Sequence, residues 1–204
     1  MSITSYEYEE RAFLSEDDFL RVKKYLDRAA TKTELDNKKS YFFVLPDRNL
    51  SVAVSKAKSV IKYKSGQITK GNGFEEHEFP FDSTSLTDVI GLLSSLLEIE
   101  PQYSEQFRIN YYLDNKIEIA LKYTETWGFH IEIEKVYQAK NEKDLETSKK
   151  LAQKDVENVA KLLDVKLITS DDIENFTKEC EAGINRGKFS PDDFRTKHGF
   201  LFGF

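Results

Sequence analysis

The sequence holds one cysteine, one methionine, one tryptophan and three histidines in 204 residues. A single cysteine, Cys180, forms no intramolecular disulfide and builds no cysteine-rich metal site; its expected place is in helix packing. Positive charge is also in deficit, 30 Lys and Arg against 36 Asp and Glu. A net charge of −6 argues against non-specific nucleic-acid binding, which needs basic surface to neutralise phosphates, although it leaves room for a local basic pocket. Long apolar runs are missing: the longest, Val89 to Leu97, is broken by Gly91, Ser94 and Ser95. No apolar stretch of signal-peptide type stands at the N-terminus, and none is long enough to span a bilayer. The expectation is a soluble cytoplasmic protein, monomer or homodimer, with neither nucleic acid nor membrane as partner. There is no repeat of solenoid period.

What is present suffices for folding. A hydrophobic share of 39%, with 13% aromatic, supports one sizeable core in a chain of this length. Thr4 to Phe13 reads as a strand. Ser15 then offers an N-cap, with Asp18 three residues on, to a helix carrying Phe19, Val22 and Leu26 and ending near Arg28. Ala30 to Lys39 reads as a polar loop. Strands follow at Ser40 to Leu45, closed by Pro46-Asp47, then at Leu50 to Val54, Ser59 to Lys64 and Glu75 to Phe81, the last two separated by a glycine-rich loop from Ser65 to Gly73. Ser83 to Glu98 is a helix with Leu86, Val89, Ile90, Leu93 and Leu97 on one stripe. Gln106 to Leu113 and Lys116 to Tyr123 form a hairpin about Asp114-Asn115, and Gly128 to Tyr137 is a further strand. Leu145 to Leu163 is helical, with Leu151, Val156, Val159, Ala160 and Leu163 inward, and Ser170 to Ala182 is a second helix. About eight strands in hairpins with few helices between them argue against a doubly wound parallel sheet. They predict an α+β fold: an eight-stranded antiparallel barrel or tunnel with helices packed outside.

Charge recurs at strand spacing. Successive strand side chains point to opposite faces, so Glu7, Glu9 and Arg11 share one face. Glu132 and Glu134 repeat the pattern, as do Glu76 and Glu78, and Lys62 and Lys64 repeat it with cations. Like charges projecting from one face are unfavourable unless something of opposite sign lies between them, and metal ions or polyanions suit. The competing reading of each pair is a solvated strand face. His130 is expected to turn to the packed side, with a place in the pocket as proton shuttle or ligand as the alternative.

Glu7-x-Glu9-x-Arg11 resembles the ExExK signature of the CYTH domain family, the triphosphate tunnel metalloenzymes, with arginine where lysine is usual. Gly128-Phe129-His130-Ile131-Glu132-Ile133-Glu134 is similar to that family's late Gly-x-Phe-x-Glu-x-Glu strand. Lys64-Ser65-Gly66 is similar to the Lys-Gly end of its fourth strand, Glu76 and Glu78 to its Arg-x-Glu-x-Glu segment, and Arg108 to the basic residue after its central helix. The resemblance covers about residues 4 to 180 in order. It implies one CYTH-like domain over residues 1–182, followed by a C-terminal tail, 183–204. The activity implied is divalent-metal-dependent hydrolysis of a triphosphate: tripolyphosphate, a nucleoside triphosphate or thiamine triphosphate. Mg²⁺ or Mn²⁺ is the implied cofactor, held by Glu7, Glu9, Glu132, Glu134, Glu76 and Glu78. Arg11, Lys62, Lys64, Arg108 and Lys122 are the implied substrate-binding residues, with Glu9, Glu134 and Lys64 catalytic.

The chain departs from the family pattern at specific places. Ser51 and Ala53 stand where an Arg-x-Arg pair is usual, Phe74 where a third arginine is, and Lys122 where an aspartate is. Losing about three charge-assisted contacts, at roughly 1.5–3 kcal/mol each, weakens a phosphate site about a thousandfold or more unless other cations substitute. Two alternatives therefore stand beside hydrolysis: a catalytically reduced domain that binds an anionic ligand without turnover, and a class IV adenylate cyclase. The tail reads as irregular, and its Phe189, Phe194, Phe200, Phe202 and Phe204 are expected to be buried, on the sheet, across a tunnel mouth or between protomers.

Overall fold

The structure is a computed structural model that describes residues 4–45, 48–65, 76–114, 116–139 and 142–204. Among the described residues, nine strands and five helices follow in the order β1 (Thr4–Phe13), α1 (Glu16–Ala29), β2 (Lys32–Leu35), β3 (Lys38–Val44), β4 (Arg48–Ser55), β5 (Ser59–Ser65), β6 (Glu76–Pro80), α2 (Leu86–Leu97), β7 (Gln102–Tyr112), β8 (Ile117–Thr124), β9 (Gly128–Ala139), α3 (Glu142–Leu162), α4 (Ser170–Glu181) and α5 (Pro191–His198), with single 3₁₀ turns at Ser83–Ser85 and Gly199–Phe202. The expected turns at Pro46-Asp47 and Asp114-Asn115, and the glycine loop with Gly66 and Phe74, fall largely or wholly outside the described residues.

All pairings are antiparallel, in the order β1-β9-β8-β7-β3-β4-β5-β6, with β2 added on β7. This is the expected antiparallel tunnel architecture, curled as a half-barrel with the helices outside. Residues 30–39, expected to be a loop, contain β2 instead. β2 and β3 run end to end along one edge of β7, β2 opposite Ile109–Tyr112 and β3 opposite Gln102–Gln106. The chain steps aside only at Asp36 and Asn37. There the Asp36 N–H donates to the Arg108 carbonyl at 3.0 Å, and the Asn37 side-chain oxygen accepts from the Arg108 N–H at 3.0 Å.

Strand parity separates the two faces of the sheet. Tyr8, Ala12, Ile131, Ile133, Ile119, Leu121, Tyr123, Phe107, Ile109 and Tyr111 are buried with Phe19, Val22 and Leu26 of α1 and Ala152, Val156, Val159 and Ala160 of α3. This outer, helix-covered face holds the main core. Ser15 caps α1 as its sequence predicts, its hydroxyl accepting from the Asp18 N–H at 3.1 Å. Two packing expectations are corrected. Leu151 faces solvent while Ala152 takes the buried position, and Cys180 is exposed.

The tail is also corrected: it is not irregular. Ser190 caps α5, Pro191 sits at its first turn, and the chain closes in a 3₁₀ turn. Phe194 and Phe202 are fully buried on the outer face, and Phe194 stacks on Tyr123 at 3.8 Å between ring centroids. Phe200 and Phe204 remain largely exposed.

Candidate functional site

The opposite, inner face carries the charges. Opposed residues of an antiparallel pair point to the same side, and the register aligns them in rows. One row is Glu9, Glu134, Glu118 and Tyr112, crossing β1, β9, β8 and β7. The next is Arg11, Glu132, Ala120 and Asn110, and beyond it lie Phe13, His130, Lys122 and Arg108. Lys38 follows on β3, opposite Gln106 of β7 and Ser55 of β4. At the far end of the sheet Lys62 pairs with Glu78, and Lys64 with Glu76.

The first row places like charges side by side across three strands. Carboxylate oxygens of Glu7, Glu9 and Glu134 lie within 4.8 Å of one another, and Glu9 is only 7% exposed. Carboxylates this close repel, which is the arrangement a divalent cation relieves. Hard cations such as Mg²⁺ and Mn²⁺ take oxygen ligands of this kind, so the residues present fit such an ion.

Glu132, also expected as a metal ligand, sits one row away among cations. Arg11 Nε donates to its Oε1 at 3.0 Å, and Lys122 pairs with its other oxygen. Burial alone would raise the Glu132 pKa, but Lys122, Arg11 and Arg108 outweigh it and hold the carboxylate well below its ordinary range. Arg11 also pairs with Glu9, and the two acids keep its guanidinium firmly protonated despite burial. Arg108 is fixed by the Asn110 side chain and by Glu118 at 2.9 Å. For Lys122, burial and then the neighbouring Arg108 push the ammonium down to about 8.

Lys62 and Glu78 meet at 2.5 Å, and Glu78 also accepts from Lys58 at 2.7 Å. Glu78 therefore lies on the far wall, tied to two lysines, and is not part of the carboxylate trio. Lys64 and Glu76 hold register positions on the inner face, while their side chains lie outside the described residues. Ser51 and Ala53 face inward opposite Lys62 and Val60, so the uncharged positions of β4 do line the site.

His130 corrects the sequence expectation. β9 pairs without interruption, so His130 shares the inner face with Glu132 rather than the packed one. It is buried at 4% exposure, its Nδ1 lies 2.9 Å from the Gly128 carbonyl, and its ring packs 5.4 Å from Trp127. Burial, then Lys122, lower its pKa to about 4, which leaves the ring neutral near pH 7.

Sequence reasoning missed Lys38, Asp36, Glu118 and Asn110. Lys38 alternates with Ser40 and Phe42, a signal hidden when the strand is started at Ser40. Glu118 was readable by parity with Ala120 and Lys122 in the hairpin.

No family model and no curated protein matches the sequence. Solved structures do match in shape. The PH1012 protein of Pyrococcus horikoshii aligns with a TM-score of 0.60 at 21% identity, over 78% of this chain and 91% of that one. A protein from Hippeastrum, studied as an adenylyl cyclase and found to have a dominant triphosphatase activity, aligns with a TM-score of 0.57 at 17% identity, over 80% and 90%. The chain has the CYTH fold. A chain of the Schizosaccharomyces pombe Mediator head module also aligns, with a TM-score of 0.55 at 10% identity, over 79% and 97%. At such identities the CYTH fold is what is shared, so activity has to be argued from the residues of the inner face.

Proposed function

We propose that this CYTH-fold protein binds a triphosphate-containing substrate on the inner face of its sheet and hydrolyses it with a divalent metal ion. The observation that carries the reading is the carboxylate trio Glu7, Glu9 and Glu134, set on the same face as Arg11, Lys122, Arg108 and Lys62. Acids gathered at one end suit a hard cation, and cations spread along the rest suit a chain of phosphates. The triphosphatase activity of the Hippeastrum protein with the same fold supports the substrate class.

Glu7, Glu9 and Glu134 would hold Mg²⁺ or Mn²⁺, which when bound neutralises phosphate charge and lowers the pKa of bound water. The cations do the positioning. Arg11 sits between the trio and Glu132, so it can bridge the metal-bearing end and the next phosphate. Arg108 presents a guanidinium oriented by Asn110 and Glu118, which suits bidentate contact with phosphate oxygens. Lys122, shared with Glu132, adds a point charge beside it. Together these groups spread stabilisation over the equatorial oxygens, the main task in phosphoryl transfer.

A second reading is favoured by Ser51 and Ala53, which leave the inner face of β4 uncharged: the same face binds a polyphosphate without turning it over. One experiment separates the two. Phosphate release from tripolyphosphate is measured with Mg²⁺ and with Mn²⁺, beside Glu9→Gln. Metal-dependent release that disappears in the variant supports hydrolysis. Binding by calorimetry with no release between pH 6 and 10 selects the non-catalytic reading, and the absence of both removes the functional claim.

A further inference from the structure

The unexplained group on the inner face is Lys38. Its side chain is only 12% exposed, and its nearest acid, Asp36, stands 3.4 Å away. Register places it beside Arg108: Asp36 and Asn37 both bind the Arg108 backbone, and β3 continues in the register of β2, with Lys38 opposite Gln106. Lys122 lies opposite Arg108 on β8. Three cations from three neighbouring strands thus converge within a span of two rows. Burial, and then repulsion from Arg108 and Lys122, pull the Lys38 ammonium down to about 7 against the attraction of Asp36.

An apolar side chain would serve the monomer better at this position, since a buried ammonium with one long ion pair is a net burden. Such groups persist where a ligand uses them. The strand next to Lys38 is β4, where Ser51 and Ala53 carry no charge on the same face.

We propose that Lys38, Arg108 and Lys122 form an anion subsite that replaces the cations missing from β4 and holds the end of a polyphosphate chain remote from the carboxylate trio. This rests on the triphosphate reading above and adds both a residue and a substrate requirement. From the Glu9–Glu134 row to the Lys122–Arg108 row is four residues, roughly 13 Å along the strands. With a divalent ion at the trio, a single orthophosphate bound there would not reach that subsite, whereas a linear chain of phosphates would extend toward it. The subsite therefore selects for chain length.

The test uses the full chain with tripolyphosphate, pyrophosphate and orthophosphate as probes, their affinities measured by calorimetry for wild type, Lys38→Met, Lys38→Arg and Lys62→Met. Lys38→Met is expected to weaken tripolyphosphate binding about ten- to a hundredfold. It should weaken pyrophosphate less and leave orthophosphate unchanged, while Lys38→Arg recovers most of the loss. Unfolding midpoints at pH 7 confirm folding, with Lys38→Met at or above wild type. If Lys38→Met binds tripolyphosphate as tightly as wild type while Lys62→Met weakens it, the subsite is wrong and the triphosphate reading stands. If Lys38→Met loses all three probes equally, the length selection is wrong. Failure of wild type to bind any of the three overturns both the subsite and the reading beneath it.

Discussion

Glu9 sits where acids crowd together on the inner face. It is buried, it opposes Glu134 directly across the β1–β9 ladder, and Glu7 lies within ligand distance on its own strand. Arg11 offsets part of that charge. Glu9→Gln should therefore act with opposite signs on two observables. Metal affinity, read by calorimetry with Mn²⁺, should fall on the order of a hundredfold or more, because a ligand from a three-acid site is gone. Stability of the metal-free protein should stay level or rise by about 0.5 kcal/mol in denaturant unfolding, because a like-charge contact is relieved. A variant that loses stability in metal-free buffer would mean that Glu9 serves the fold instead. Lys38 gives the pH counterpart. Its folded-state pKa of about 7 lies below the ordinary 10.5. Between those values the unfolded chain binds a proton that the folded chain does not, so this group's contribution to stability rises with pH across the window. Below about pH 7 both states are protonated and the full burden of the buried charge remains. Lys38→Met should thus be more stable than wild type at pH 6, by about 1 kcal/mol or more, with the gap closing toward pH 10. Paired thermal unfolding curves at pH 6, 8 and 10 measure it.

At the scale of elements, the β2–β3 break is bridged without a change of register, Leu35 opposite Ile109 and Lys38 opposite Gln106. Asn37 holds it at both ends: its oxygen accepts from the Arg108 N–H, and its NH₂ donates to the Phe202 carbonyl at 2.8 Å. One side chain thus ties the edge of β7 to the closing turn of the chain. Asn37→Ala leaves both backbone groups without that partner and should cost about 2 kcal/mol, seen as a lower urea midpoint. Because the same contact locates Arg108 and Lys38, tripolyphosphate affinity should fall as well, even where the protein is fully folded. That break was not legible in the sequence, for a physical reason. All four residues of β2, Lys32 to Leu35, are exposed, so no apolar alternation marks the strand. Strands with one apolar face, such as β8 and β9, announced themselves through Ile119/Leu121 and Ile131/Ile133. The candidate site followed the same rule. Glu7, Glu9, Glu132 and Glu134 were readable from parity alone, whereas the partners chosen by register were not. Nothing in the spacing says that Glu134 meets the trio while Glu132 meets Lys122, because that choice is made by the pairing of β9 with β1 and β8.

On the scale of the whole molecule, the sheet has two faces with different tasks. The outer face is closed by the tail, where Phe194 stacks on Tyr123, packs 4.6 Å from Phe107 between ring centroids, and is fully buried. Tyr123 is also pinned to the tail, donating its hydroxyl to the Phe189 carbonyl and accepting the Phe189 N–H, both at 2.8 Å. Phe107 and Tyr123 belong to β7 and β8, whose next residues, Arg108 and Lys122, point inward. The tail therefore backs the strands that carry the proposed phosphate grip, and it touches the grip's surroundings through the Asn37–Phe202 hydrogen bond. Phe194→Ala should create a cavity costing about 3–5 kcal/mol, read as a lower guanidinium midpoint with little change in its slope. Below its melting range, the variant should bind tripolyphosphate within about threefold of wild type, since no charge on the inner face is altered. A large loss of affinity in well-folded Phe194→Ala would mean instead that the two faces are coupled through β7 and β8. The tail would then help set the position of Arg108 and Lys122, and no longer be only the cover of the core.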